Sequence, residues 1–196
     1  MKTTVRNIIL LLHLFTAIAA YSQPKDQNKE IEAVFYNYIH ASKSDNEEEE
    51  LKFLYEEQFD EYPKTLFMSM HETRKSITTI DEKIYRISKT LEKANIKYVK
   101  ISYKVNWIFD FKENKDPDNV NYFIERLEYG FGKDSVTVDK KNFKAIAKYV
   151  NYVYAAFNPK YNGWKIVLPE IVGDGSTEGT KWDAIPQEIL QKLIEM

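Results

Sequence analysis

Residues 97–111 alternate strictly between two kinds of side chain, and few patterns restrict a fold more. Val99, Ile101, Tyr103, Val105, Trp107, Phe109 and Phe111 fall on one side. Tyr98, Lys100, Ser102, Lys104, Asn106, Ile108 and Asp110 fall on the other. A period of two held this long predicts a strand with one face against a core and the other toward water. The apolar side carries no carboxylate, so any acid–base group must come from elsewhere.

Upstream the period is that of a helix. Ile31, Val34, Phe35, Tyr38 and Ile39 form one stripe on a helix over 28–43. Ser44, Asp45 and Asn46 interrupt it and offer N-caps. Glu47 to Glu50 then suit the positive end of a second helix, whose Leu51, Leu54, Tyr55, Phe59 and Tyr62 run to Pro63. A third helix over 64–79 contributes Leu66, Phe67 and Met70. Downstream, strands are expected over 83–90, 120–130 and 134–138. The stretch 143–157 reads as two strands, or one bent strand, near Val150 and Asn151. Asp116-Pro117-Asp118 and Asp139 to Asn142 read as turns, and 158–163 as a hairpin connection into 164–168. A Gly-containing loop at 173–179 leads to a final helix over 186–195, opened by Pro186. Helices first and antiparallel strands after predict an α+β fold, with the N-terminal helices on one sheet face.

The N-terminus sets an expected address. Lys2 and Arg6 precede an apolar run from Ile8 to Phe15, followed by Ala17, Ala19, Ala20 and Ser22. Basic, apolar, then small is the order of a secretory signal peptide, expected to span 1–22 with cleavage before Gln23. Residues 23–196 are then a single domain. The apolar stretch is shorter than the roughly 20 residues a spanning helix needs, so no stable membrane anchor is expected after cleavage. The chain has no cysteine, which excludes lipoprotein anchoring, disulfides and thiolate chemistry. A secreted or periplasmic protein of a Gram-negative bacterium is the expected setting. Removing Lys2 and Arg6 from 28 basic residues leaves 26 against 30 acidic ones, a balance of −4. No basic stripe is legible in the linear sequence, so nucleic acid is not an expected partner.

The element order, closing on Gly163-Trp164-Lys165-Ile166 and the tail Ile185-Pro186-Gln187-Glu188-Ile189-Leu190-Gln191-Lys192-Leu193, resembles the nuclear-transport-factor-2-like family. It resembles in particular small secreted bacterial proteins of that shape without assigned function. The resemblance implies a curved, cone-like antiparallel sheet around a helical layer, a cystatin-like α+β form. That family holds isomerases, dehydratases and cyclases as well as non-enzymatic binding and association modules, so it does not select among them.

Candidate chemistry is sparse. His71, in Met68-Ser69-Met70-His71-Glu72, could point into a cone and titrate near neutrality. His40 reads as a cation at the end of the first helix. On a strand over 120–130, either Arg126 and Glu128 or Glu125 would reach the core edge, whichever face is buried. Those are the weak catalytic candidates; a solvated strand end is the simpler explanation. Two histidines in 23–196 and no cysteine argue against zinc. Asp116 and Asp118 lack the further ligands of a calcium loop. Nor does Gly173-Asp174-Gly175-Ser176 match a phosphate-binding fingerprint, so no cofactor is expected. A non-catalytic module binding an unknown small ligand or protein, through a cavity or its sheet surface, is the leading expectation. A cofactor-free acid–base enzyme and a homodimerising structural module are the alternatives.

Overall fold

The computed structural model describes residues 23–44, 46–56, 78–112, 116–168 and 184–196. Within them the chain is α+β: an open antiparallel sheet with helices before, between and after its strands. Helix α1 (Gln23–Ser42) and the five-residue α2 (Glu47–Leu51) precede the sheet. Strands β1 (Thr78–Ile87), β2 (Leu91–Lys93) and β3 (Ile96–Asp110) follow. Helix α3 (Pro117–Phe131) leads to β4 (Val136–Asp139), β5 (Lys144–Asn158) and β6 (Gly163–Val167). Helix α4 (Gln187–Ile194) closes the chain.

The long pair β3 and β5 is the axis, in continuous register from Lys97 opposite Phe157 to Asp110 opposite Lys144. On the outer side of β3 lie β1 and, at one end, β2; on the outer side of β5 lie β6 at that end and β4 at the other. The alternation of 97–111 sets which face is buried. Val99, Ile101, Tyr103 and Val105 join Ile31, Phe35 and Tyr38 of α1, with Val153, Ala155, Trp164 and Ile166, in the main core. Farther along the same face, Phe111 and Ala145 pack against Val120, Ile124 and Leu127 of α3. Helices α1 and α3 therefore share one sheet face.

The opposite face departs from a uniformly wet expectation. At the β2–β6 end, Tyr98, Tyr154 and Ala156 are buried beneath Ile189, Leu190 and Leu193 of α4. The C-terminal helix covers that end alone.

Several expected boundaries move. The segment expected as a strand over 120–130 is helix α3. Asp116 caps it by accepting from the Asp118 N–H at 3.0 Å, and Pro117 opens its first turn. Val120, Ile124, Leu127 and Phe131 fall at helical spacing, and Gly132 ends the helix at φ 85. The second helix stops at Leu51 rather than running to Pro63: Leu54 bridges to Ile166, and Ile166 donates to the Phe53 carbonyl at 2.8 Å. Local helical spacing yields there to pairing with β6. Thr78 and Thr79, expected to end a third helix, begin β1, while the rest of 64–79 lies outside the described residues. The stretch expected as two strands or one bent strand over 143–157 is a single strand, β5, that begins after the turn residue Phe143. The leader over 1–22 and the loop 173–179 also lie outside the described residues.

Candidate binding face

Two irregularities in β1 decide what the solvent side of the sheet displays. Ile80 sits opposite Asn106, yet the next pair is Lys83 with Lys104, so β1 carries an extra residue. A second shift separates Ile84, opposite Tyr103, from Arg86, opposite Ser102. In an unbroken register Glu82 and Ile84 would share the solvent face. The first bulge places Lys83 there instead and sends Ile84 toward the core, and the second restores Arg86 to the solvent face it would hold in an unbroken register. Asp81 absorbs the first bulge at φ 60, a conformation that Asp tolerates better than most residues. Glu82 is turned to the helical side. Its carboxylate accepts from Lys43 Nζ, just beyond α1, and from the Thr79 hydroxyl, both at 2.5 Å.

The solvent face thereby gathers Lys83 and Arg86 from β1, Lys100 and Lys104 from β3, and Lys148 from β5. Lys83 and Lys104 are directly opposed. Among the described residues, no carboxylate lies within ion-pair distance of Lys83, Arg86, Lys104 or Lys148. Lys100 Nζ donates to the Ile194 carbonyl at the end of α4, at 3.2 Å. Partial burial, and then the neighbouring Arg86, hold its pKa below the ordinary lysine value. Asp81 is occupied by Asn106, whose Nδ2 donates to it at 2.8 Å. That carboxylate brings one negative charge onto the face, and charges of both signs also meet at the far end, where Asp110 and Asp139 flank Lys144.

Large apolar side chains stand among these cations. Tyr85 is 53% exposed and Val150 50%, and Ile80 and Tyr152 are exposed as well. Two rings are tied to the charge: Lys104 Nζ lies 5.9 Å from the Tyr85 centroid, and Lys100 Nζ lies 4.9 Å from that of Tyr152.

Three of the four expected catalytic candidates lie among the described residues, all on α3. Glu125 and Arg126 lie exposed on α3, and Glu128 is half-exposed there, none of them at a core edge. Arg126 instead donates to the Tyr122 hydroxyl at 3.2 Å. His71 lies outside the described residues, and His40 is exposed in the last turn of α1. The buried carboxylate among the described residues is one that sequence reasoning took for a dipole-facing surface group. Glu50 is 0% exposed, at the end of α2 and one turn before Leu54. Its signal was that i, i+4 relation to an apolar position. The cationic face was half legible: Lys100 and Lys104 alternate visibly, and Lys148 keeps their phase on β5. Arg86 keeps the phase of Ile80 on β1, and Lys83 joins them only through the first bulge.

Among the described residues, no group of three His, Asp or Glu side chains is placed to hold a metal ion. No known protein family, curated protein or solved structure matches this chain.

Proposed function

We propose that this chain is an exported, non-catalytic binding module that engages an anionic partner through the solvent face of its sheet. The supporting observation is the direct opposition of Lys83 and Lys104, beside Arg86 and Lys100, with no carboxylate at ion-pair distance from Lys83 or Lys104 among the described residues. Like charges facing each other across strands destabilise a sheet. Here the first of the two bulges in the edge strand creates that opposition. Bulges recur where a side chain must be re-aimed for function. The leader-like 1–22 supports export, and the helix-then-sheet order supports the likeness to the nuclear-transport-factor-2-like family.

Ion exchange tests the face directly, because residues 23–196 carry a net charge of −4 if the leader is removed. At neutral pH and low salt the protein is expected to be retained on a sulfonate resin despite its negative balance. Lys83→Glu/Lys104→Glu is expected to flow through. Lys29→Glu/Lys133→Glu, equal in charge change but on exposed residues of α1 and the α3–β4 connection, is expected to stay retained. Equal loss of retention in both double variants, or none in the wild type, would remove the basis for a focused face.

A further inference from the structure

We propose that the surface docked on this face is an anionic phospholipid bilayer, and this rests on the binding-face reading above. Three features select a surface over a chain-like polyanion. First, the cations occupy β1, β3 and β5 at once: Lys83 opposes Lys104, Arg86 lies one pair farther along, and Lys148 stands opposite Asn106. That arrangement covers an area rather than tracing a track along one strand or groove. Second, Ile80, Tyr85, Val150 and Tyr152 project among them. Exposed apolar and aromatic side chains beside ammonium groups match the boundary between headgroups and acyl chains, where Tyr and snorkelling Lys both find partners. Third, the rings best placed to stack on a base or sugar already carry a cation. Lys104 lies over Tyr85 and Lys100 over Tyr152. Stacking would have to displace those ammonium groups, whereas a headgroup phosphate can be met by them as they stand.

The charge chemistry also fits. Four of the five cations are lysines, which act as point charges and suit a laterally mobile array of phosphates. The planar bidentate recognition that arginine gives is confined to Arg86. No helix among the described residues is long and apolar enough to cross a membrane, so the association proposed is with the surface.

The test is co-sedimentation of the purified protein with vesicles at neutral pH. Vesicles of phosphatidylglycerol mixed with phosphatidylcholine are expected to carry the protein down in low salt, and pure phosphatidylcholine vesicles are not. Raising the salt should release it. Each of Lys83→Gln and Lys104→Gln should lower partitioning about fivefold, the effect of one basic residue near an anionic surface. Tyr85→Thr/Val150→Thr keeps every charge, so it should weaken vesicle binding while leaving retention on the sulfonate resin unchanged. Circular dichroism of each variant would confirm that the fold is intact. Resin retention without binding to phosphatidylglycerol vesicles would overturn the lipid proposal and leave the binding face standing. So would tighter binding to polyglutamate or a single-stranded oligonucleotide than to vesicles, or an unchanged vesicle affinity in the Tyr85/Val150 variant. Failure on both resin and vesicles would take down both readings.

Discussion

Glu82 and Lys83 are adjacent in the chain and end on opposite sides of the sheet, with opposite consequences for stability. Burial pushes the Glu82 pKa upward, but hydrogen bonds from Lys43, from Thr79 and from its own backbone N–H outweigh that and hold it below the ordinary 4.5. A carboxylate whose folded pKa is lowered stabilises the fold above its unfolded pKa. That contribution drains away as pH falls through the lower folded value. Urea unfolding should therefore find Glu82→Gln less stable than wild type at pH 7, by up to about 1 kcal/mol for such a partly exposed pair. The difference should close in acid well below pH 4.5; a gap that persists there would exclude the ion pair as its source. Lys83 should behave in the reverse manner. Lys83→Gln relieves a directly opposed like charge and should stabilise by about 0.2–1 kcal/mol in low salt. The gain should fade toward molar salt as screening shortens to a few ångström. A destabilised Lys83→Gln would mean that the lysine has an attractive role.

At the scale of elements, the parts most legible in the sequence were those whose period serves a single face. Helix α1 buries Ile31, Phe35 and Tyr38 as its stripe predicts, and β3 turns Val99 to Val105 into the main core. Helix α3 was missed because Val120, Tyr122 and Ile124 also alternate, so the strand and helix templates overlap over five residues. Spacing over the longer window, Val120 to Phe131, and the Asp116-Pro117 start separate them. The α+β class was legible from element order, whereas the covered end of the second face was not. It depends on where α4 lands, and only the helix itself, opened by Pro186, was readable. Each covered face has an anchor to test. Phe35, fully buried with its ring centroid 4.9 Å from that of Tyr103, joins α1 to the sheet. Leu193, also fully buried, joins α4 to the opposite side. Phe35→Ala should cost about 3–5 kcal/mol and Leu193→Ala about 2–5 in chemical denaturation. A loss below about 1 kcal/mol for Leu193→Ala would mean that α4 is not integral to the fold.

Across the whole molecule, the two sides of the sheet do different work. One side is roofed by α1 and α3 and supplies two of the three apolar cores. The other is roofed by α4 at one end and, among the described residues, by no helix over the rest, and there the cations collect on a chain that is acidic in balance. A compositional reading averages these sides and finds a mildly acidic, well-mixed surface. The candidate site escaped that reading because its charge is a matter of arrangement. Glu125, Arg126, Glu128 and His71 drew attention as residue types suited to chemistry. The residues that do come together were ordinary lysines until the strands were paired.

The doubled irregularity in the edge strand also bears on how this protein can change over descent. Each irregularity is one residue more than its partner strand needs, so deleting Asp81 would let the strand straighten with Lys83 still opposite Lys104. A codon can thus be lost at such a point without disturbing the positive charges shown on the outer rim.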